Sequence, residues 1–436
     1  MKKSTILFLF LKLYRLIWFL ILPILKRDFR LQRGIKQRLS SDHFSRADVW
    51  IQAASAGESS LALYLAKNLQ LKFCEKSNNS LKAILLTSTT SQGVELLSSG
   101  FSQSSNSHTQ ITWFPFDIPD LMLNVIHRVR PSVVVLIETE LWPSLLFAAK
   151  QNGVKVVVIN GRMSKKSHKH YMLTKWLWRK IEPDTILAIS KIDTKRFKDV
   201  FPKSEVSLMP NMKFDTIIAA NGLNLFDFPA NLPFSILASI REEEEKDAIF
   251  IINQLLKKFP NQVIGLFPRH QHRLNFWKKA LKDNNHKLIL RSEIDNQNFL
   301  THFLTYKDNK NIPFGSVILW DIFGELKNAY CFATVAFVGG SLKQLGGHNF
   351  IEPITSGAAT VTGPFIDDFA WAGYEIFNNI VKKAKNRDEV VDFMVSNLKN
   401  PHNRKDIIRA AFEYIKQKQG GTLIACNKIN LTTSKS

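Results

Sequence analysis

Three carboxylates follow short apolar runs that are typical of buried strands. Glu58 follows Val49–Ala53, and Glu138 and Glu140 follow Val133–Ile137. A carboxylate at such a strand end suits a general base, because packing alone gives little reason to place a charge there. Two alternatives stay open, since Glu58 could instead stabilise a helix from its first turn and the other two could cap the next helix. Strand alternation would send Glu138 and Glu140 to the same side of the sheet.

Small residues and a cation accompany these carboxylates. Ser55 and Gly57 precede Glu58 in the segment ASAGES, which predicts a tight strand-to-helix turn whose backbone N–H groups can face an anion. The segment NGRMS ends a further apolar run and supplies Arg162. We expect Arg162 to balance the carboxylates.

The second half of the chain carries possible anion partners. Pro268, Arg269 and His270 close the apolar run Val263–Phe267, and Arg273 lies close behind. An arginine there can hold a phosphate or carboxylate through two parallel hydrogen bonds, although a surface salt bridge is the plainer alternative.

Two further segments combine glycines with polar side chains. In the first, DIFGEL, Gly324 would let backbone approach a ligand closely. The second follows the run Val335–Val338, and its mixture of bare backbone and polar groups suits phosphate, ribose and base recognition. It matches neither a GxGxxG dinucleotide pattern nor a phosphate-binding P-loop, which disfavours NAD chemistry and ATP hydrolysis. Its candidate site residues are Gly339, Gly340, Ser341, Gly347, His348, Asn349, Phe350, Ile351 and Glu352.

Short aliphatic runs alternate with helical patterns along most of the chain, which predicts an α/β fold with parallel sheets covered by helices. The pattern ends near Asp215 and restarts at Ser235, so we expect two doubly wound, Rossmann-like domains. The predicted division is an N-terminal anchor at 1–30, a first domain at 31–220, a linker at 221–233, a second domain at 234–410 and a C-terminal helix and tail at 411–436. A bilobed enzyme with a cleft at the carboxyl ends of both sheets would follow.

The strands expected from these runs are assigned one by one. In the first half they are Val49–Ala53, Ala83–Thr87, Val133–Ile137, Val154–Ile159 and Ile186–Ile189. In the second half they are Ser235–Ala238, Val263–Phe267, Lys287–Leu290, Val317–Trp320, Val335–Val338 and Ala359–Val361.

Composition narrows the class of protein. The 436 residues include 59 Lys and Arg against 37 Asp and Glu, a net charge of +22 that predicts attraction to nucleic acid, anionic lipid or phosphorylated substrates. The three cysteines show no metal-ligand spacing, so neither a zinc site nor a disulfide framework is indicated. No nucleic-acid-binding motif is present, and we expect no nucleic-acid partner.

The N-terminus predicts membrane attachment. Ile6–Leu25 is almost wholly apolar and long enough to cross a bilayer, but Lys12, Tyr14 and Arg15 interrupt it. A helix lying in the membrane interface therefore competes with a spanning helix. The basic run from Lys26 to Arg38 argues against a cleaved signal peptide and places the following domains on the cytoplasmic side.

In order, the segments ASAGE, ETELWP, NGRMS, NMKFD, PRH, FGEL and GGSL…GGHNFIEP resemble the transferases of 3-deoxy-D-manno-octulosonic acid (Kdo) in lipopolysaccharide assembly, glycosyltransferase family 30. The resemblance implies the two-lobed GT-B fold, with transfer of Kdo from CMP-Kdo to the lipid A precursor at the inner membrane. It implies inverting chemistry without a metal ion or other cofactor, beside anionic lipid.

The resemblance also assigns residue roles. Glu58 matches the general base, while Glu138 and Lys213 match residues that support the transition state. Donor contacts are implied for a second set: Pro268, Arg269, His270, Phe323, Gly324, Glu325, Asn349, Phe350, Ile351 and Glu352.

The chain departs from the family pattern after Ser235–Ala238. Where STHEGEE is usual it reads SIREEEE, so Ile240, Arg241 and Glu243 replace threonine, histidine and glycine. Arg241 could serve as an anion partner, whereas Glu243 is expected to remove backbone freedom. Phe323 stands where methionine is usual, which fits packing against a nucleotide.

Two other functions stay open on the sequence. One is a GT-B transferase with another nucleotide sugar or lipid acceptor. The other is a non-catalytic basic protein of the membrane surface.

Overall fold

The computed structural model of the chain describes residues 2–27, 33–76, 83–101, 108–217, 233–294 and 312–433. They form two compact units, one of Met1–Ile217 with Lys418–Ser436 and one of Ile218–Gln417. The predicted linker at 221–233 lies outside the described residues except for Pro233.

The first unit contains a parallel sheet whose described strands follow the order β3-β2-β1-β4-β5-β6-β7. In this doubly wound order β1 and β4 are neighbours where the strand order reverses, the place at which open α/β sheets meet their ligands. Every residue of β1 and β4 is buried. The strands are β1 (Val49–Ala53), β2 (Ile84–Ser88), β3 (Thr109–Trp113), β4 (Val133–Ile137), β5 (Lys155–Gly161), β6 (Thr185–Ala188) and β7 (Glu205–Leu208).

Helices cover this sheet through apolar stripes. In α5, Met122, Val125, Ile126 and Val129 are buried at the spacing of one helical face, and Pro119 occupies a first-turn position where its missing N–H costs nothing. The helices up to Val200 are α1 (Lys2–Leu25), α2 (Ile35–Leu39), α3 (Ala56–Lys76), α4 (Ser91–Phe101), α5 (Pro119–Val129), α6 (Pro143–Gln151), α7 (Lys165–Leu173), α8 (Lys175–Trp178) and α9 (Lys191–Val200).

The second unit also contains a parallel sheet covered by helices. Its described strands are all parallel, in the order β10-β11-β9-β8-β12-β13-β14. The strands are β8 (Phe234–Ile240), β9 (Val263–Pro268), β10 (Lys287–Leu290), β11 (Ser316–Leu319), β12 (Val335–Val338), β13 (Ala359–Thr362) and β14 (Val381–Lys383). The helices are α10 (Glu245–Lys258), α11 (Leu274–Asp283), α12 (Leu326–Tyr330), α13 (Ile351–Thr355), α14 (Ile376–Asn379), α15 (Arg387–Lys399) and α16 (Arg404–Lys418).

The last helix, α17 (Gly421–Thr433), belongs to the first unit. Ala425, Cys426 and Ile429 pack into the core on one face of the first sheet. Asp215 fixes the start of α17, since its carboxylate accepts the backbone N–H groups of Gly420 at 2.7 Å and Thr422 at 2.5 Å. The final residue of the NMKFD segment is thus a helix cap.

The predicted α/β class with two parallel sheets is confirmed. Each of the eleven strands expected from apolar runs is present within two residues of its predicted ends. The sequence reading missed β3, β7 and β14, which lie at sheet edges. Edge strands in water are short and polar, so VKK in β14 gives no apolar signal.

Candidate functional site

Glu58 lies in the first turn of α3, directly beyond the carboxyl end of β1. Its Oε2 accepts the backbone N–H of Ala54 at 2.8 Å, and its Oε1 accepts the Ser55 hydroxyl at 2.9 Å. Ser55 also accepts the N–H of Glu58 at 3.2 Å, which closes the turn. The small residues predicted at this turn therefore hold the carboxylate itself.

Glu138 is joined to Lys213 by an ion pair of 3.0 Å between Oε1 and Nζ. β4 has already ended, and Glu138 adopts a positive φ of 59°. Glu138 and Glu140 therefore belong to a turn, and strand alternation is the wrong reason for their placement. Both interact electrostatically with Glu58, so the turn still brings them to it.

Two asparagines that the sequence reading did not single out position Lys213. Asn160, at the end of β5, accepts the backbone N–H of Met212 at 2.9 Å. Asn211 accepts the N–H of Lys213 itself at 2.9 Å and begins a short 3-10 turn. Their places in the segments NGRMS and NMKFD were the available signal.

Arg162 does not take the predicted role beside the carboxylates. Its backbone carbonyl accepts the Thr139 hydroxyl, which ties the Glu138 turn to β5. In the described part of the chain, the ion pair of Glu138 is with Lys213.

Glu140 is the most perturbed acid of this group. Burial, together with the negative charge of Glu58, raises its pKa to about 7. Its Oε2 accepts the indole N–H of Trp142 at 2.9 Å. Burial also raises the pKa of Glu58, with a further rise from Glu138 and an opposing effect from Lys213. A raised pKa makes a carboxylate a stronger base, which suits a general base.

In the second unit, basic side chains gather beyond the ends of β8 and β9. Burial, together with the nearby charges of Arg269, Arg241 and His270, lowers the pKa of His348 to about 4. His348 is therefore neutral at pH 7, and its buried Nε2 has no hydrogen-bond partner among the described residues. Arg269 and His270 are exposed. This group of four, the basic cluster, suits a phosphate or carboxylate.

The loop from Asp321 to Glu325 presents an apolar side chain to solvent. Phe323 is 80% exposed, and Gly324 has a φ of 91° with open space where a side chain would begin. The side chain of Glu325 is held in place by two partners, because its Oε2 lies 2.8 Å from Arg291 Nε and accepts the Trp320 indole N–H at 2.9 Å. A flat ligand can therefore stack on Phe323 while the loop keeps its shape.

The amides of the first glycine pair already have a partner, which the sequence reading missed. Glu244 is fully buried, and its carboxylate accepts the backbone N–H groups of Gly340 at 2.5 Å, Ser341 at 2.8 Å and Leu342 at 2.7 Å. These amides hold a carboxylate of the chain itself. Gly339 approaches the carbonyl of Ala238 too closely for any side chain, so its role is packing.

The second glycine pair leads into a short polar turn. Gly347 donates its N–H to the carbonyl of Gly340 at 2.7 Å. Asn349 donates to Glu352 Oε1 at 2.9 Å and accepts the N–H of Ile351 at 3.0 Å. The side chains of Phe350 and Ile351 are buried, so a ligand could meet only their backbone.

Two details of the SIREEEE segment differ from expectation. Glu243 lies in a 3-10 turn and does not adopt a positive φ. The turn therefore does not need the backbone freedom of glycine, and the expectation that Glu243 removes a necessary freedom is wrong. Arg273 binds Glu245 through two hydrogen bonds of 2.9 and 2.7 Å and pairs with Glu242 at 3.2 Å. The plainer salt-bridge reading of Arg273 is therefore the right one.

Glu244→Ala should lower the free energy of unfolding of the second unit by about 3 kcal/mol or more, because three buried N–H groups lose their acceptor. Denaturant titration of the full chain measures this. Glu243→Ala is the matched control, since its side chain is 48% exposed, and should change stability by less than about 0.5 kcal/mol. Equal effects of the two variants would contradict the assigned role of Glu244.

Comparison with known proteins relates the chain to one family of transferases. Residues 30–216 match the family model described as 3-deoxy-D-manno-octulosonic-acid transferase (kdotransferase). A 3-deoxy-D-manno-octulosonic acid transferase of Haemophilus influenzae is 29% identical over 390 residues, covering 85% of this chain and 84% of that protein. The chain therefore contains a Kdo transferase domain at residues 30–216 and is similar to Kdo transferases over most of its length.

Two further likenesses extend the comparison. A bifunctional glycosyltransferase/methyltransferase of Fusobacterium nucleatum is 27% identical over 90% of the chain, which spans 59% of that protein's length. A glycosyltransferase structure from Rickettsia africae matches with a TM-score of 0.52 at 14% identity, covering 90% of this chain and 99% of that one. The second likeness concerns the fold alone, which is GT-B as expected.

Proposed function

We propose that this protein is a Kdo transferase that moves Kdo from CMP-Kdo to the lipid A precursor, lipid IVA, at the cytoplasmic face of the inner membrane. The observation that carries the proposal is the placement of Glu58, whose raised pKa and fixed carboxylate fit a base for an alcohol. The choice of Kdo as the transferred sugar is supported by the similarity to 3-deoxy-D-manno-octulosonic acid transferases.

In the proposed reaction, Glu58 removes the proton of an acceptor hydroxyl. The oxygen attacks the anomeric carbon of Kdo from the face opposite the phosphate, the bond from that carbon to the phosphate oxygen breaks, and CMP leaves with the electron pair. Attack from the opposite face inverts the configuration of the carbon. The positive charge of Lys213, held beside Glu138, supports the transition state.

The basic cluster is proposed to bind the donor. Arg269, Arg241 and His270 offer charge-assisted hydrogen bonds to the phosphate, and neutral His348 offers a ring nitrogen without a partner in the described chain. Phe323 supplies an apolar surface for the nucleotide base. The proposed chemistry meets the phosphate charge with protein groups and includes no metal ion.

A donor screen tests this function. Purified full-length protein is given a lipid A precursor with CMP-Kdo or with UDP-sugars, and lipid products are separated chromatographically. We expect product with CMP-Kdo alone. Product only with a UDP-sugar would favour a GT-B transferase of another specificity, and no product with any donor would favour a non-catalytic protein of the membrane surface.

The pH profile of kcat/KM should move in opposite directions in two variants. Activity falls when the base becomes protonated, so the acid limb reports the pKa of Glu58. Lys213 lowers that pKa and Glu138 raises it, so Lys213→Met should shift the limb to higher pH and Glu138→Gln to lower pH. Shifts in the same direction, or none, would remove Glu58 from the role of base.

A further inference from the structure

The N-terminal helix α1 faces the first unit with one regular stripe of residues. Its less exposed positions recur every three or four residues, which is the spacing of a single helical face. They are Leu7, Phe10, Leu11, Tyr14, Trp18, Leu22 and Leu25. The helix therefore lies along the protein surface.

The middle of α1 is held by polar contacts to the folded unit. The Tyr14 hydroxyl donates to Asp117 Oδ2 at 3.2 Å, and Arg15 pairs with Asp120 at 2.7 Å. Asp117 is buried and also accepts the N–H groups of Ser144 and Leu145, both at 2.9 Å. Two of the three residues that interrupt the apolar run, Tyr14 and Arg15, thus bind acids of the first unit.

These contacts conflict with a spanning helix. The 24 residues of α1 extend about 36 Å, only slightly more than the ~30 Å hydrocarbon core of a bilayer. If α1 crossed that core, Tyr14 and Arg15 would sit near its centre together with Asp117 and Asp120. Burying those acids and the backbone around them in hydrocarbon is costly.

The opposite face of α1 is apolar and uncovered in the described chain. Its exposed large residues are Phe8, Leu9, Leu13, Leu16, Ile17, Phe19, Leu20, Ile21 and Ile24. Trp176 stands beside it, since the ring of Trp176 makes an edge contact with the ring of Phe10 at a centroid distance of 5.8 Å. Leu173, at the end of the preceding helix and three residues earlier in the chain, is exposed as well. Leu173 is 78% exposed and Trp176 43%.

Cations accompany this surface. Lys12, Lys26 and Arg27 are exposed on or just after α1. The segment that carries Leu173 and Trp176 has its own exposed cations, namely Lys165, Lys166, Lys169 and Lys175. An apolar face with flanking Lys and Arg is complementary to one leaflet of an anionic bilayer.

We propose that α1 lies flat in the interface of an anionic membrane, beside Leu173 and Trp176 as a second point of insertion, and does not cross the bilayer. The proposal rests on the membrane attachment within the proposed function and is independent of which sugar is transferred. Its tests read topology and lipid binding, so their failure would leave the donor screen unaffected.

A protease test decides the topology. An epitope tag is placed before Met1 of the full chain, and inverted inner-membrane vesicles, whose cytoplasmic face is outside, are treated with protease. We expect the tag to be digested at the same rate as a second tag placed after Ser436. Protection of the N-terminal tag would overturn the proposal, as would recovery of the protein outside the vesicle fraction.

A binding test examines the second point of insertion. Leu173→Ser combined with Trp176→Ser should weaken binding to phosphatidylglycerol-containing vesicles by about tenfold or more, because both apolar side chains leave the lipid. Ile192→Ser combined with Leu208→Ser is the matched control, since these residues are 63% and 51% exposed on other elements of the first unit. Equal binding of both double variants would remove Leu173 and Trp176 from the membrane surface.

Discussion

Glu58→Gln is expected to lower kcat by about 100-fold or more while the protein stays folded, because a positioned base contributes roughly 100-fold to 10,000-fold to such a reaction. The amide keeps an oxygen for the Ala54 N–H, and the Ser55 hydroxyl can turn to accept from the new NH2 group. The turn is therefore preserved and the proton acceptor is lost. Initial rates at saturating donor and acceptor measure the effect.

The control for this experiment is Glu413→Gln, which removes one negative charge from an exposed position on α16. It should keep the parental kcat. If Glu58→Gln also kept the parental kcat, another group would have to take the proton. Glu140, with its pKa of about 7, would then be the first residue to substitute.

Arg269→Ala is expected to raise the KM for the sugar donor by about tenfold to 100-fold. A hydrogen bond to a charged group is worth about 1.5–3 kcal/mol, which corresponds to that range. Arg269 is exposed beyond the end of β9 and lies near His348, so its loss should disturb donor binding with little change in stability. Steady-state kinetics with varied donor measures the KM.

Two further variants sharpen the Arg269 experiment. Arg269→Lys should recover part of the affinity, since lysine keeps the charge but loses the two-pronged contact. Arg409→Ala removes a 69% exposed cation from α16 and should leave the KM unchanged. A donor KM that is unchanged in Arg269→Ala would remove the basic cluster from donor binding.

Much of the fold could be predicted because central strands carry a simple signal. β1 and β4 are buried throughout, so their sequences VWIQA and VVVLI are apolar runs that stand out from their surroundings. The strands that were missed, β3, β7 and β14, face solvent along one edge and need no such composition. These strands form because they pair with a neighbouring strand of the sheet, and a local sequence pattern does not show that pairing.

The site was predictable where strand ends supply chemical groups, as for Glu58, Glu138 and Arg269. Partnerships over long separations were not. Glu244 and the amides of Gly340 and Ser341 are nearly a hundred residues apart in the chain, and a run of four glutamates gives no sign of which one is buried. Lys213 likewise depends on Asn160, which meets it only after β5 and the 3-10 turn have packed together.

The placement of the N-terminal helix could not be predicted for the same reason, because it depends on partners far away in the chain. Composition gives a length suited to crossing a membrane, and α1 is long and apolar enough to do so. The partners of Tyr14 and Arg15 are Asp117 and Asp120, about a hundred residues later in the chain. Only the folded unit therefore distinguishes a stripe that packs on protein from one that faces lipid.

The most direct test of the proposed function is mass spectrometry of the lipid product. Purified full-length protein is incubated with CMP-Kdo and a tetra-acylated lipid A precursor, with a parallel sample of Glu58→Gln. We predict that the parental protein adds whole Kdo residues, whose number the spectrum counts, and that the variant leaves the lipid unchanged over the same time. An unmodified lipid in both samples, from protein that is folded and binds vesicles, would contradict Kdo transfer to this acceptor.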